Sequence, residues 1–318
     1  MEDTMERKPI RLFLVTGFLG SGKTSFLQYA LTQVKDTKVG VIVNEFGQIG
    51  IDGKVLQSGD LKLVEINDGS IFCSCLKSGF VRTLAAFLEQ PVDLLFVEAS
   101  GMADPSNMRQ LLDYLNAVLS KKPEVSRRYD YRGSICILDA KRFMAYYDMF
   151  PAIEAQIRQS EFIVLNKMDE VDAETADAHL KWLGEIRPDA AVIPAEYGEV
   201  PVRFFLDRVM EHPEAAPTTN SPETRPFSCI ADTSGVYTVE QIRGLCTALA
   251  DSTLRVKGFF RTKDGYGRAD CVCDFISVEP LDEGITVKPG DLKLVIISRE
   301  DNGIEEKVKE LLQKAALE

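Results

Sequence analysis

The stretch RLFLVTGFLGSGKTSFLQYAL, residues Arg11–Leu31, decides the fold. Its first part, Arg11–Thr16, is a short apolar run with β-branched residues, which is typical of a buried strand. The next eight residues, Gly17–Thr24, match the pattern G-x-x-x-x-G-K-[ST] of a phosphate-binding loop. Ser25–Leu31 continues with apolar residues at helical spacing. Strand, loop and helix in this order are the context in which the motif binds phosphate.

The motif predicts where a nucleoside triphosphate binds. Glycines permit backbone conformations in which the loop N–H groups turn toward phosphate oxygens, and the following helix adds the positive end of its dipole. We expect Lys23 to reach the β- and γ-phosphates and the Thr24 hydroxyl to ligate Mg²⁺. The loop residues predicted to hold the nucleotide are Gly20, Ser21, Gly22, Lys23, Thr24 and Ser25.

Composition and charge narrow the class of protein. A chain of 318 residues with 45% apolar and 27% charged residues is typical of about two globular domains. We expect neither a membrane span nor a secretory signal, and a net charge of −12 argues against a nucleic-acid partner. Seven cysteines, an odd number, predict reduced thiols in a cytoplasmic protein, and two histidines are too few for a histidine-rich metal site.

Two loops that follow predicted strands carry candidate carboxylates. After the apolar run Lys38–Val43, a polar loop with three glycines contains Glu45 and Asp52. Ligands of α/β sheets bind at the carboxyl ends of strands, so either residue is placed to approach Mg²⁺ or its waters. A surface turn with solvated carboxylates fits the same spacing equally well.

The second loop follows Val92–Val97, which we predict to be a central parallel strand. Glu98 at its tip is expected to position Mg²⁺ or water, and Gly101 to let the backbone approach a γ-phosphate. The same stretch reads as a helix entry, with Asp104 as the N-cap and Pro105 at the first helical position. Both interpretations hold together because they use different residues.

A second motif selects the base. The strand-like run Phe162–Leu165 leads directly into N-K-M-D at Asn166–Asp169. The Asp169 carboxylate can accept two hydrogen bonds from the ring N–H and exocyclic amine of guanine, a donor pair that adenine lacks. We expect Asn166 to bond the base edge and the Lys167 stem to cover the base plane. This tetrad predicts GTP as the ligand and argues against a small-molecule kinase.

The order of elements predicts the architecture. Alternating strands and helices over residues 8–211 predict an α/β fold, a P-loop NTPase domain with a mostly parallel sheet. Residues 212–226 are rich in Pro, Thr, Ser and Glu and are predicted to be a linker. Residues 227–318 predict a small α+β domain with a single strand over Cys271–Val278 and a helix capped by Thr238 and Gln241.

The chain resembles the CobW-like P-loop GTPases, relatives of the nickel-insertion GTPases for urease and hydrogenase. The matching motifs are GFLGSGKT (Gly17–Thr24), NEFGQIGID (Asn44–Asp52), EASGMADP (Glu98–Pro105), NKMD (Asn166–Asp169), IRPDAAVI (Ile186–Ile193) and LRVKGFF (Leu254–Phe260). The resemblance implies a GTPase domain joined to the C-terminal domain of that family. It also implies GTP-powered delivery of a metal or metallocofactor, often with nucleotide-linked dimerisation.

One segment departs from the family pattern. The family usually carries a C-x-C-C metal motif after N-G, but here Ser70 and Phe72 stand at its first two cysteine positions. Cys73 aligns, and Cys75 adds a thiol two residues later. Thiolates suit Zn²⁺ or another thiophilic metal, so this pair is the predicted metal site, with Cys271 and Cys273 as weaker candidates. Partly buried, unliganded cysteines are the alternative for all four.

Two functions of different classes remain. The first is a GTPase, slow without a partner, that gates the delivery of a metal or metallocofactor to a client protein. Its predicted catalytic residues are Lys23, Thr24, Asp52 and Glu98. The second is a nucleotide-switched binding protein for a corrinoid or other cofactor enzyme, with no metal of its own. The altered cysteine motif favours the second.

Overall fold

The computed structural model describes residues 8–34, 37–44, 62–66, 77–121, 125, 127–214, 226–281, 287–299, 301 and 303–315. The predictions for Glu45, Asp52, Cys73 and Cys75 fall outside these residues. The described chain divides into two compact units, which we call unit 1 (residues 8–214) and unit 2 (residues 226–315).

Unit 1 is built on a seven-stranded sheet in which all strands run parallel, in the order β3-β2-β4-β1-β5-β6-β7. This arrangement confirms the predicted α/β fold class. The strand that precedes the phosphate-binding motif lies centrally, so the loop after it opens at the middle of the sheet's carboxyl edge. The strands are β1 (Ile10–Thr16), β2 (Val39–Asn44), β3 (Lys62–Ile66), β4 (Leu94–Glu98), β5 (Tyr129–Asp139), β6 (Phe162–Asn166) and β7 (Ala191–Pro194).

Helices cover both faces of this sheet. Because successive side chains of a strand point to opposite faces, Leu12 and Leu14 of β1 pack with α2 and α3, while Phe13 and Val15 pack with α1 and α7. The interiors of β4 and β6 are therefore apolar on both sides, and each of these two strands ends in a polar residue. The helices are α1 (Lys23–Gln33), α2 (Lys77–Leu88), α3 (Met108–Leu119), α4 (Phe143–Tyr147), α5 (Pro151–Arg158), α6 (Ala173–Ile186) and α7 (Arg203–Leu206). Sequence patterns gave no bounds for α3, α4 or α5.

The helix entry predicted after Glu98 is confirmed. The Asp104 carboxylate, fully buried, accepts a hydrogen bond from the Ser106 N–H at 2.8 Å, and Pro105 begins a short 3₁₀ turn that leads into α3. The loop after β4 is thereby fixed at its far end by its own cap.

The last described residues of unit 1 fold back onto the amino edge of the sheet. Glu161, which precedes β6 and is 2% exposed, accepts a bond from the Ser134 N–H at 2.5 Å and lies 2.6 Å from His212 Nδ1. The His212 ring stacks on Tyr131 at 5.1 Å, and Arg109 donates to the Pro213 carbonyl. These contacts tie residues beyond α7 to the body of unit 1.

Unit 2 is an α+β unit with a five-stranded antiparallel sheet, in the order β11-β10-β9-β12-β8. One sheet face packs against two helices, α8 and α9, around Val256, Phe260 and Ile296. The predicted capping box is confirmed: the Thr238 hydroxyl accepts from Gln241 N at 3.1 Å and Gln241 Oε1 accepts from Thr238 N at 2.7 Å. The elements are β8 (Phe227–Asp232), α8 (Val239–Leu249), β9 (Arg255–Thr262), β10 (Gly265–Val272), β11 (Phe275–Pro280), β12 (Lys293–Ser298) and α9 (Ile304–Ala315).

The prediction of one strand over Cys271–Val278 is wrong. A tight hairpin interrupts it, because β10 ends at Val272 and β11 begins at Phe275. Cys273 stands in the turn with φ 50°, a left-handed conformation, so the alternation of strand side chains stops before it. Cys271 and Cys273 therefore do not form an i, i+2 pair on one strand.

Within the described part of the chain, no helix is both long and apolar enough to cross a membrane.

Candidate functional site

Four neighbouring strands of unit 1 each end in a buried polar residue. These residues are Thr16 of β1, Glu98 of β4, Asp139 of β5 and Asn166 of β6, and they are 0%, 4%, 7% and 1% exposed, respectively. Because the strands are parallel and adjacent, the four side chains gather at one edge of the sheet, beside the loop that follows β1.

The phosphate-binding loop has the geometry its glycines predict. Gly22, immediately before α1, has φ 101°, and a Cβ there would lie 2.3 Å from Asn166 Nδ2. Any larger residue at this position is therefore excluded both by backbone strain and by lack of space. The loop leads into the N-terminus of α1, whose first residue is Lys23.

Lys23 is buried, with 7% of its surface exposed, and its ammonium group is held over the loop. Its Nζ donates to the carbonyl oxygens of Gly17 at 2.9 Å and Phe18 at 3.1 Å. A buried cation beside neutral carbonyl dipoles is suited to bind an anionic ligand.

 The loop therefore presents a positive charge at the place where the motif predicts the β- and γ-phosphates.

Beside the lysine lies a set of oxygen ligands. The Thr24 hydroxyl donates to Glu98 Oε1 at 3.4 Å, which joins the start of α1 to the end of β4. Three further buried hydroxyls, those of Thr16, Ser21 and Ser100, have no hydrogen-bond partner among the described residues. Hydroxyl and carboxylate oxygens are the donors that Mg²⁺ prefers, and buried hydroxyls without partners are expected where a ligand normally supplies them. The donor set at this point fits Mg²⁺.

Asn166 has a role that differs from the one predicted. Its Nδ2 donates to the Ser21 carbonyl at 2.9 Å, and its Oδ1 accepts from the Gly198 N–H at 2.8 Å. The side chain thus joins the phosphate-binding loop to the loop after β7, where we had expected it to bond a base edge. The N-K-x-D tetrad and the phosphate loop consequently lie side by side in the structure.

Lys167 is placed by a carboxylate that the sequence analysis missed. Its backbone is left-handed, with φ 61°, and its Nζ lies 2.7 Å from Asp139 Oδ2. Arg142 Nη1 approaches the same oxygen at 3.1 Å. Asp139 is the last residue of β5, so the rule that singled out Glu98 at the end of β4 would have found it too.

Asp169 is exposed in the turn that follows β6. Its neighbour is Tyr197, which is 68% exposed and left-handed at φ 54°. The negative charge of Asp169, together with the hydrogen bond that its carboxylate accepts from the tyrosine hydroxyl, raises the pKa of Tyr197 above its ordinary value. The loop Ala195–Gly198 is therefore part of the site, although only its glycine after a short strand signalled it in the sequence.

Gln156 of α5 was also missed. It is fully buried, and its Nε2 donates to the carbonyls of Gly101 at 3.1 Å and Ala103 at 2.9 Å, both in the loop after β4. A glutamine inside an amphipathic helix carries no sequence signal that separates this role from a solvated position.

The described thiols do not assemble a metal site. Among the described residues, no group of three or more His, Cys, Asp or Glu side chains is arranged to hold a metal ion. Cys271 is buried against Cys246 of α8, and a hydrogen bond between the two thiols raises the pKa of Cys246. The Cys273 thiol instead faces the Leu254 carbonyl, 3.9 Å away. Cys136, Cys229 and Cys246 each stand within an apolar segment of the sequence, and all three are buried.

Comparison with known proteins agrees with this geometry. The sequence profile described as "CobW/HypB/UreG, nucleotide-binding domain" matches residues 11–194, more than half of the chain. The chain belongs to the CobW/HypB/UreG family. The match runs from the second residue of β1 to the last residue of β7, and so includes the site described above except for the loop after β7.

Relatives within the CobW/HypB/UreG family include the zinc chaperone YeiR of Escherichia coli, 35% identical over 199 residues that cover 60% of this chain and 56% of YeiR. The zinc chaperone CobW of Pseudomonas aeruginosa is 26% identical over 257 residues, or 69% of this chain and 66% of that protein. The aligned part thus spans less than two thirds of these relatives. Among solved structures, Zn(II)-bound YjiA GTPase from E. coli aligns over 98% of this chain and 100% of that one, with 20% identity and a TM-score of 0.45.

Proposed function

We propose that the protein is a GTPase whose nucleotide cycle gates the delivery of a metal ion, with Zn²⁺ as the first candidate, to a client protein. The observation that carries the proposal is the Asn166 side chain, which bonds the phosphate loop at Ser21 and places the N-K-x-D tetrad beside it. A phosphate cradle and a guanine-selective carboxylate then belong to one pocket.

The phosphate end of the pocket is assigned to Lys23, the loop Gly20–Ser25 and the Gly101 backbone. Lys23 would exchange its two carbonyl partners for phosphate oxygens, which gain more from a cation than a neutral carbonyl does. The helix dipole of α1 adds to the same attraction. Charge developing on the phosphates is therefore met by groups that are already in position.

Mg²⁺ is assigned to Thr24 and Glu98, with the unpartnered hydroxyls of Thr16, Ser21 and Ser100 nearby. When bound, it would neutralise phosphate charge. Glu98 is buried at the end of β4 and orients the Thr24 hydroxyl, so it holds the site in shape. Asp52 stays a predicted second carboxylate. Hydrolysis is proposed to be slow in the protein alone and to be accelerated by a partner.

The base end is assigned to Asp169 and Lys167. Asp139 holds the Lys167 ammonium 2.7 Å away, so that the alkyl stem is free to cover one face of the base. The exposed Asp169 carboxylate would accept the two guanine donors, and Tyr197 beside it would yield its contact with the carboxylate.

The proposal of a metal cargo is supported by the names of the relatives and by the thiols of the chain. Relatives bear the names zinc chaperone and, in Dictyostelium discoideum, zinc-regulated GTPase metalloprotein activator 1. We assign the cargo to Cys73 and Cys75, with a client metalloprotein as recipient, a homodimer as the working form and the cytoplasm as the location. Two thiolates need further ligands for a closed zinc site, which a second copy or the client would supply.

A second candidate is a nucleotide-switched binding protein for a corrinoid or other cofactor enzyme, without a metal of its own. Ser70 and Phe72 at family cysteine positions, and only two histidines in the chain, favour it. Both candidates share the GTP site and differ in metal content.

One experiment tests both. Protein purified under reducing, anaerobic conditions is titrated with GDP, a non-hydrolysable GTP analogue and ATP, and bound zinc is measured in each state. We expect guanine nucleotides to bind at least about 100-fold more tightly than ATP, and zinc content to differ between the GDP and GTP-analogue states. Loss of zinc in the double variant Cys73→Ser/Cys75→Ser would place the cargo there. Guanine binding with no zinc in any state would favour the second candidate, and equal binding of ATP would overturn both.

A further inference from the structure

The loop after β4 is held on two sides. On one side, Gly101 packs against the phosphate loop so closely that a Cβ would lie 2.7 Å from Leu19 N. On the other, the Gln156 carboxamide donates to the carbonyls of Gly101 and Ala103. The loop between Glu98 and Asp104 has little freedom between these two contacts.

The helix that carries Gln156 is itself anchored to the phosphate loop. Phe150, the residue before α5, packs its ring 4.9 Å from that of Phe18, inside the loop. Pro151 then opens the helix, and Gln156 stands one and a half turns further on. α5 therefore bridges the two segments that meet at the γ-phosphate position.

A buried glutamine is a costly way to fill space. Gln156 has no exposed surface, and its Oε1 has no hydrogen-bond partner among the described residues. Burial of an amide is unfavourable unless it is hydrogen-bonded, so an apolar side chain of the same length would pack with less penalty. What the carboxamide adds is the pair of bonds to the loop.

We propose that Gln156 is a positioning residue of the nucleotide site, which fixes the main chain at Gly101 and so sets the preference for triphosphate over diphosphate. The inference rests on the proposed GTP site. Gly101 follows Glu98 at the edge of the phosphate loop, where only the γ-phosphate distinguishes the two nucleotides. A loop freed from α5 would have to be ordered again each time GTP binds, whereas GDP binding would not require it.

The test is a comparison of nucleotide affinities in variants of the full chain. Gln156→Met keeps the length and removes both donors, and Gln156→Asn keeps the carboxamide but draws it back by one methylene. The matched control is Gln33→Met, because Gln33 also makes two bonds to backbone, to Val200 O and from Val202 N, each at 3.0 Å. Affinities for GDP and for a non-hydrolysable GTP analogue are measured with Mg²⁺, and thermal unfolding checks that each variant is folded.

We expect Gln156→Met to lower the affinity for the GTP analogue about tenfold, which corresponds to one net hydrogen bond or slightly more. The affinity for GDP should change less than about twofold. Gln156→Asn should act in the same direction, and it serves as the test if the methionine variant does not fold. Gln33→Met should leave the ratio of the two affinities unchanged. Equal weakening of both nucleotides, or an unchanged ratio in a folded Gln156 variant, would overturn the inference and leave the GTP site standing. Wild-type protein that binds neither nucleotide would remove the proposed function, and this inference with it.

Discussion

The two sheets of the molecule place their polar and reactive side chains differently. In unit 1 the strands are parallel, so their carboxyl ends share one edge, and four of them end there in buried polar residues. In unit 2 the strands are antiparallel, and the buried thiols Cys229, Cys246 and Cys271 lie in the core between sheet and helices. The parallel sheet brings polar side chains from distant parts of the sequence to one edge, whereas unit 2 buries these three cysteines as packing residues.

The prediction with the largest expected effect concerns Lys23, and it tests whether the carboxyl edge of unit 1 binds phosphate. Lys23→Ala should lower the affinities for GTP and GDP by at least about 100-fold, because it removes the buried charge proposed to face the phosphates. Isothermal titration checks this, with the exposed Lys181→Ala on α6 as the control. Near wild-type affinity in Lys23→Ala would mean that the carboxyl edge of unit 1 is not the phosphate site.

A smaller effect is expected at the base end of the same edge. Asp169→Asn should lower the affinity for GTP by about 10- to 100-fold and leave the affinity for ATP unchanged, because an amide cannot accept both guanine hydrogen bonds. The same variant should lower the pKa of Tyr197, since the carboxylate charge is what raises it.

Competition binding and ultraviolet titration of the tyrosines measure these two results. Asp177→Asn, exposed on α6, should change neither. An unchanged ratio of GTP to ATP affinity in Asp169→Asn would contradict the proposal that Asp169 recognises guanine.

The next prediction concerns the cysteines, whose reactivity should follow their burial. Burial raises the pKa of Cys136 to about 12 and that of Cys229 to about 11, and the thiolate is the form that reacts. In native protein at neutral pH, N-ethylmaleimide should modify the partly exposed Cys273 at least about 100-fold faster than Cys136. Peptide mapping by mass spectrometry follows each site. Equal modification rates of the two cysteines in native protein would contradict the burial of Cys136. Unfolded protein is the control, because the two rates should converge there.

The smallest effects compare the caps of one helix in each unit. The pKa of Asp172, the N-cap of α6, is lowered by the bond from Thr175 N, so its contribution is present at neutral pH and is lost as pH falls through the folded pKa. Asp172→Ala should therefore destabilise the protein at pH 7 and match wild type in acid. Thr238→Ala on α8 should cost about 1 kcal/mol with no such pH dependence. Denaturant unfolding at several pH values separates the two, and a pH-independent Asp172→Ala would refute the electrostatic origin.

The sequence allowed the parallel sheet, the phosphate loop and the capping box of α8 to be predicted because each depends on a local pattern. Glu98 was found because it ends an apolar strand, and the same rule would have found Asp139. The hairpin at Cys273 was missed because β10 and β11 run together without a glycine or proline between them. Gln156 and the bond of Asn166 to Ser21 depend on contacts between residues far apart in sequence, which no local pattern contains.

The pairing of His212 with Glu161 bears on how unit 1 can be produced by itself. A fragment that stops at the predicted boundary, residue 211, loses the imidazole by one residue and leaves a carboxylate that is 2% exposed without it. Glu161 would keep the bond from the Ser134 N–H to Oε2, but its Oε1 would lose the imidazole, and removing one partner of a buried charged group is costly. A recombinant fragment that runs through Glu214 retains the imidazole, its stacking on Tyr131 and the Pro213 carbonyl that Arg109 binds. We therefore expect the fragment that ends at Glu214 to be more stable than the one that ends at residue 211.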